Sequence, residues 1–437
     1  MRTLVALEPS MPTDPAAIPS SSTGEAPGAA RVLILSTVAF TLLFAVWLQF
    51  GMLGKSIAAD LKIDKSAVYW LGFAAVMAGS LFRLPAGILT DRLGGRLMMT
   101  LTLLISAVPC WLVSTAHTYT ALLSYALMFG LAGNSFSIGI AWNSAWFSKA
   151  HQGAALGTFG AGNVGASVTK LLGPVLLAAL PAAGLLGGLI PGGWRAVPVI
   201  YSVLLVIMAA VVWFASPKPE RRPGANRPLA EMLAPLKEVR VWRFGLYYVV
   251  VFGAYVALSL WLPTYYQDVY AVTPATAGFL TALFIFPASL LRPLGGYLSD
   301  KFGARPVTYL VFIVMAALCV PLSLPSQLIA LPVMGFTALV IAIGVCMGVG
   351  KASVYRYIPD YFPKDVGAVG GLVGTLGALG GAFLMPLFGL IETGLGIRQS
   401  AFILLFGLAL LSIAWLHLVV TSIKRREASG EYSAVTA

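Results

Sequence analysis

Apolar residues along this chain run in long blocks with short polar breaks, not in the 3.6- or 2-residue alternation of half-buried helices and strands. Twelve such runs lie near 32–53, 66–89, 97–115, 119–142, 152–180, 196–215, 242–266, 275–298, 305–324, 328–352, 366–391 and 399–421. A run of about 20 residues crosses roughly 30 Å of hydrocarbon as a helix. The pattern therefore predicts an all-α integral membrane protein with twelve transmembrane helices. A polar, Pro-containing stretch from Pro217 to Arg240 separates the sixth run from the seventh. This divides the chain into a six-helix bundle at 32–215, a linker at 216–241 and a second bundle at 242–421, with an arm at 1–31 and a tail at 422–437. The arm is rich in Pro, Ser and Ala and has no apolar core, so it reads as disordered and not as a signal peptide.

Composition narrows the class. With 59% hydrophobic and 10% charged residues among 437, and a mean hydropathy of +0.88, the chain cannot be a soluble globule, whose charged share is about 25%. A net charge of +12 raises the question of nucleic acid, but membrane topology accounts for where the basic residues fall. With both termini in the cytoplasm, 19 of the 28 Lys and Arg lie in cytoplasmic segments, 5 face outward and 4 lie within runs, in accord with the positive-inside rule. The opposite orientation would put Arg221, Arg222, Arg227, Lys424, Arg425 and Arg426 outside. A multi-pass protein of the cytoplasmic membrane, acting as a monomer, is the expectation.

Catalytic constellations are missing. Cys110, Cys319 and Cys346 fall in apolar runs without disulfide or metal spacing. His117 and His151 lie in loops and His417 stands alone, so neither a metal site nor a histidine-activated nucleophile is expected, nor any cofactor. No Walker-type phosphate loop occurs, which leaves ion gradients as the energy source.

The halves repeat one another. Arg83-Leu-Pro-Ala-Gly87-Ile-Leu-Thr-Asp91-Arg92-Leu-Gly94-Gly-Arg96 closes the second run, and Arg292-Pro-Leu-Gly-Gly296-Tyr-Leu-Ser-Asp300-Lys301-Phe-Gly303-Ala-Arg305 closes the eighth, at an offset of 209. Gly153, Gly157 and Gly160 are echoed by Gly367, Gly371 and Gly374 at an offset of 214. Internal repeats of this kind build many transporters, with the site near the midplane between them.

Four cations, Arg83, Lys170, Arg292 and Lys351, lie inside the runs, and no Asp or Glu occupies the middle of any run. A charge at that depth costs roughly 2.5–3.5 kcal/mol on insertion scales, so such residues mark function. Positive charge without an internal counter-ion implies an anionic substrate. Arg83 and Arg292 each precede their Asp by eight residues, which lifts each guanidinium about 12 Å from the surface and aims both at one cavity. Two rigid five-donor forks suit a small planar oxyanion. Nitrate, nitrite, bicarbonate and a carboxylate all satisfy that geometry.

The Gly-x-x-x-Asp-Arg/Lys-x-Gly-x-Arg loops resemble the signature of the major facilitator superfamily, over all twelve helices. The resemblance implies gating and structural roles for Asp91, Arg92, Arg96, Asp300, Lys301 and Arg305. The segments Gly153-Ala-Ala-Leu-Gly157-Thr-Phe-Gly160-Ala-Gly162-Asn163-Val-Gly165-Ala-Ser-Val-Thr-Lys170 and Gly367-Ala-Val-Gly370-Gly371-Leu-Val-Gly374-Thr-Leu-Gly377-Ala-Leu-Gly380-Gly381 are similar to the paired signatures of the nitrate/nitrite porter (NarK-type) family. Glycines at this spacing strip a helix face, allowing close sliding or backbone exposure to a ligand.

This second resemblance implies that Arg83 and Arg292 hold nitrate between aromatic rings. Phe44, Phe252 and Phe136 take the ring positions, Tyr248 and Asn163 the polar ones, and Gly160, Gly162, Gly371 and Gly374 the bare helix faces. Lys170 and Lys351 resemble the subgroup that couples nitrate to protons. Burial and a like charge both disfavour a charged amine, which makes the two lysines the proton-coupling candidates. The expected function is secondary active nitrate transport by alternating access, as nitrate/proton symport, with nitrate/nitrite antiport or carriage of another small anion as alternatives. Expected partners are nitrate, nitrite, protons and membrane lipid.

Overall fold

The computed structural model describes residues 26–428 apart from 180–183, 185–186, 188–189, 225–227, 326–327 and 363–365. Most of the arm expected at 1–31, the end of the tail and part of the linker therefore lie outside the described residues. Eleven helices long and apolar enough to cross a membrane occur among the described residues. In chain order they are α1 (Ala29–Leu61), α2 (Lys65–Leu93), α3 (Gly95–Ser114), α4 (Tyr119–Trp146), α6 (Gly193–Ala215), α7 (Val239–Tyr270), α8 (Pro274–Phe302), α9 (Ala304–Ser323), α10 (Val333–Ile358), α11 (Ala368–Leu395) and α12 (Ser400–Ser422). Between α4 and α6, α5 spans 149–179 as two helices joined by a 3-10 turn.

Several helices outrun their apolar runs. Helical backbone continues in α10 to Tyr361 and in α12 to Ala428, and α1 reaches Leu61 past Lys55 and Asp60. Apolarity marks only the hydrocarbon crossing, whereas the hydrogen-bond ladder continues into the polar rim wherever ion pairs accept it. Arg356 and Asp360, one turn apart in the extension of α10, form such a pair at 2.6 Å.

The 209-residue repeat holds at the level of backbone geometry. Lys62 (φ 53°) and Ala271 (φ 50°) both turn left-handed just before α2 and α8. Asp64 then caps α2 by accepting the Ala67 N–H at 2.7 Å, and Thr273 caps α8 by accepting the Thr276 N–H at 3.2 Å. Gly94 (φ 96°) and Gly303 (φ 87°) end the two elements, a conformation that strains any residue bearing a Cβ.

Interruptions fall within the helices that meet between the halves, away from their ends. α2 breaks at Phe82 and α8 at Leu291, so that Arg83 and Arg292 each begin a new helical segment. α1 breaks at Leu48 and Gln49, α4 and α5 pass through 3-10 turns at Leu131–Asn134 and Ala161–Val164, and α7 through a π-helical turn at Val249–Gly253. Carbonyls near such breaks must find partners inside the protein, because hydrocarbon offers none. Here the partners are side chains: Lys170 donates to Leu48 O at 3.2 Å, Trp47 to Ala75 O at 2.9 Å, Arg83 to Gly79 O at 3.0 Å and Lys351 to Ala288 O at 2.9 Å.

Among the described spans α7 is the most enclosed, 89% buried along its apolar stretch, whereas α12 is 22% buried. α7 thus runs through the protein centre, and α12 faces lipid. Bare backbone lets α7 and α11 touch: a Cβ on Gly253 would stand 2.4 Å from Gly377 O. At the end of the molecule away from the termini, ion pairs fasten one half to the other. Lys55 and Lys65 reach Asp268 at 2.6 and 2.9 Å, and Lys65 reaches Glu392 at 2.8 Å.

At the end bearing the termini, the start of the linker lies against the first half. Gly224 N–H donates to Asp91 O at 3.1 Å, and Arg221 donates to Ala145 O at 3.3 Å and sits over the Trp146 ring. Glu220 faces the Gly95 and Arg96 N–H groups at the start of α3, and burial raises its carboxyl above the usual range.

Candidate anion-binding site

Arg83 has no exposed surface and Arg292 is 4% exposed, so neither guanidinium meets bulk water. Arg83 donates through Nε to Gly79 O of its own helix and through Nη1 to Gly374 O of α11 at 3.2 Å. Arg292 donates through Nη1 to Gly160 O of α5 at 3.4 Å and through Nη2 to the Tyr248 hydroxyl at 3.4 Å. Each arginine therefore crosses to the glycine-rich helix of the opposite half. Since the arginines are mates at offset 209 and these glycines at offset 214, the two contacts are one contact repeated by pseudosymmetry. Glycine suits the crossing, because a Cβ on Gly160 would lie 2.7 Å from Arg292 Nη1 and the guanidinium would have to shift.

Phe136 sits between the arginines, its ring centroid 5.4 Å from the Cζ of each. Phe252 approaches Arg83 at 5.1 Å and stacks on Tyr248 at 4.9 Å with an 11° interplanar angle. Rings with cations on their faces supply dispersion and quadrupole attraction in place of water. Phe44 lies one ring further out, against Phe40, Trp47 and Tyr255. Of the four signature glycines named from sequence, Gly160 and Gly374 adjoin the arginines, Gly371 faces Leu84 of the other half, which a Cβ there would meet at 3.9 Å, and Gly162 packs on Phe40 and Thr41 of α1. Asn163 is fully buried, and both polar atoms of its amide lack a partner, as does Arg83 Nη2. Open polar groups at this depth are costly unless a ligand completes them.

Three further rings, which the sequence does not single out, join the site. Trp47 places its ring 5.2 Å from Arg83, Tyr355 donates to Gly370 O at 2.9 Å and packs edge-on against Tyr248 at 4.8 Å, and Tyr255 donates to Asn163 O at 3.1 Å. Spacing offered a partial signal: Trp47 stands three residues after Phe44, and Tyr355 four after Lys351, each on the same helical face. Nothing linear marks Tyr255 as the partner of Asn163.

Both lysines are fully buried. Lys351 sits deep within α10 and not near its end, because the helix runs on to Tyr361; its ammonium lies 3.2 Å from the Tyr255 ring centroid. Lys170 bonds Leu48 O at the break in α1. The gating candidates lie away from this centre. Asp300 pairs with Arg356 of its own half at 2.6 Å. Lys301 lies over the Phe302 ring at 5.2 Å, Arg96 over Trp213 at 4.5 Å, and Arg305 donates to the Tyr361 hydroxyl. Asp91 receives the linker through its carbonyl, and Arg92 lies in the last turn of the same helix.

Among the described residues no ion pair joins a carboxylate to Arg83, Arg292, Lys170 or Lys351, and no group of three His, Cys, Asp or Glu could hold a metal. The arrangement can bind a small anion on two forks, shield it with rings and release it when the halves separate.

The Major Facilitator Superfamily model matches residues 35–277 and 266–435. A relative from Thermus thermophilus, described as a probable nitrate/nitrite antiporter NarK1, is 56% identical over 94% of this chain and 96% of its own length. The probable nitrate transporter NarT of Staphylococcus haemolyticus is 33% identical over 85% of this chain and 92% of its own, and the nitrite extrusion protein of Bacillus subtilis 29% identical over 88% and 94%. In fold, the chain matches a bacterial homologue of the human lysosomal transporter Spinster, solved inward-facing and unoccupied, with a TM-score of 0.67, 16% identity and coverage of 90% of this chain and 97% of that one. Family model, relatives and helical architecture agree: the chain belongs to the Major Facilitator Superfamily and, within it, to the NarK-type nitrate/nitrite porters.

Proposed function

We propose that this chain carries nitrate across the cytoplasmic membrane by alternating access, termini inward, and that proton uptake on Lys351 or Lys170 drives it. One observation carries the reading: two buried guanidiniums have no carboxylate partner among the described residues, and Arg83 Nη2 and the buried Asn163 amide bond nothing. A planar trigonal oxyanion accepts from both forks and from the amide, and it displaces the Gly374 and Gly160 carbonyls as acceptors. Its charge offsets the mutual repulsion of the arginines, and the bare faces of α5 and α11 then let the halves rock about it. Nitrate is favoured over larger anions because the Phe136 ring centroid stands 5.4 Å from the Cζ of both arginines and, with Trp47 and Phe252 beside Arg83, encloses the forks in aromatic surface.

Outward opening requires Lys55 and Lys65 to leave Asp268 and Glu392. These side chains are 15–42% exposed, and pairs of that exposure contribute about 0–1 kcal/mol each, so the closure is reversible at modest cost. The name borne by the Thermus relative favours a second reading, nitrate/nitrite exchange. Proteoliposomes separate the two. Nitrate uptake driven by an imposed pH gradient supports symport, and uptake that depends on nitrite loaded inside supports exchange. Absence of nitrate flux under both conditions overturns the proposal.

A further inference from the structure

A set of contacts outside the anion forks leads from Lys351 into the opposite half. The Lys351 ammonium lies 3.2 Å from the centroid of Tyr255 and donates to Ala288 O. The hydroxyl of the same ring donates to Asn163 O at 3.1 Å and lies 3.1 Å from Ser289 Oγ. Ala288 and Ser289 are neighbours on α8, so one short stretch steadies the ammonium and the phenol together. Asn163 belongs to the 3-10 turn of α5 in the first half. Tyr255 is fully buried and wedged by Phe44, Phe252 and Phe284 at 6.4, 6.3 and 5.8 Å. A ring so confined transmits displacement between its two ends.

We propose that Tyr255 is a positioning residue that links the charge on Lys351 to the placement of the Asn163 amide across the two halves. This rests on the reading of Lys351 as a proton carrier. A protonated ammonium is attracted to the face of the ring, and a neutral amine is not. With the charge present, the ring is held and its hydroxyl grips the Asn163 carbonyl. With the charge gone, that hold slackens and the hydroxyl has Ser289 as an alternative partner. The Asn163 amide makes no bond of its own, so its aim toward an anion follows the backbone turn that Tyr255 grips.

The groups around Lys351 are few. Arg292 on α8 is the like charge in range, α7 presents Tyr255 and Phe252, and Tyr355 stands one turn along α10. α9 meets α10 near this depth through Val311 against Gly350 and Thr308 against Ser353, while its titratable groups face other partners: Arg305 the Tyr361 hydroxyl, Tyr309 the His417 Nδ1 at 3.4 Å, and Cys319 the neighbouring Cys346. The one titratable residue of α11 among the described residues, Glu392, is bound to Lys65 at the far end.

The test measures counterflow of isotopically labelled nitrate in proteoliposomes at equal pH on both sides, from pH 5 to 9, which needs no proton drive. Wild-type protein should show a pH-dependent rate, and Lys351→Gln a flat one. Tyr255→Leu removes the ring face and should move the midpoint toward acid by about one pH unit, the size of a desolvated cation–π contact. Tyr255→Phe keeps the face, so its midpoint should stay while the rate falls about tenfold with the lost Asn163 contact. If Tyr255→Leu does not fold, Tyr255→Trp should behave as Tyr255→Phe does. An unmoved midpoint in Tyr255→Leu, or a wild-type rate in Tyr255→Phe or Tyr255→Trp, overturns the inference. Saturable but pH-independent counterflow in the wild type overturns it together with the role of Lys351 and leaves the two-arginine site standing. No counterflow at all removes the nitrate reading as well.

Discussion

Replacing Arg83 by lysine keeps the positive charge and discards the fork. Arg83 uses three separate nitrogens: Nε on Gly79 O, Nη1 on Gly374 O and Nη2 unengaged, ready for an anion. A single ammonium on a flexible stem cannot serve both carbonyls and an anion in one plane. At least one charge-assisted hydrogen bond to nitrate is lost, worth about 1.5–3 kcal/mol. At about 1.4 kcal/mol per decade, that weakens binding by roughly 10- to 150-fold. Rings within 5.1–5.4 Å on three sides, from Trp47, Phe136 and Phe252, exclude the water that would otherwise replace the lost donor. Labelled nitrate uptake into proteoliposomes gives the readout, with size-exclusion elution and circular dichroism confirming that Arg83→Lys is folded. Arg292→Lys should behave alike, since it loses the glycine-carbonyl contact that repeats that of Arg83 by pseudosymmetry and, with it, the bond to the Tyr248 hydroxyl. Uptake within twofold of wild type in either folded variant would refute the clamp.

Gly160→Ala places a methyl 2.7 Å from Arg292 Nη1 and forces the side chain off its rotamer at about 0.5–1.5 kcal/mol; nitrate affinity should fall up to about tenfold, whereas Gly296→Ala, with nothing within 4 Å, should leave transport unchanged. Asp268→Asn breaks the two ion pairs to Lys55 and Lys65, each worth about 0.2–1 kcal/mol. Maleimide labelling of a cysteine introduced at Gly72, in the seam against Met385 and Leu260, should then speed up severalfold in a Cys346→Ser background, and an unchanged rate would show that those pairs do not hold the seam shut. Glu220 holds its proton more tightly folded than unfolded because burial disfavours the carboxylate. Stability from this group is therefore present at low pH and lost as pH rises from the ordinary carboxylate range through the raised value. Glu220→Gln should melt higher than wild type at pH 7 in detergent, with the gap closing at pH 4; a gap that widens on acidification would reverse the assigned sign.

The sequence alone determined what depends on local free energy. Insertion into hydrocarbon is decided run by run, so twelve apolar stretches and four cations inside them were legible without coordinates. Repetition at offset 209 is likewise linear, whereas the left-handed turns at Lys62 and Ala271 that accompany it were not legible, since backbone preference disfavours that conformation for a residue with a Cβ. Helix ends were less legible, as in α10, because ion pairs at the rim extend a helix past its apolar run. Only the tertiary structure decided which groups meet across the halves. Arg83 reaches Gly374, Arg292 reaches Gly160, Lys65 reaches Glu392 and Tyr255 reaches Asn163, over sequence separations between 92 and 327 residues. Placing Phe136 between the arginines and leaving the Asn163 amide unbonded depend in the same way on how two six-helix bodies dock. That docking is set by packing of bare glycine faces and interrupted helices, and no single segment of the chain encodes it.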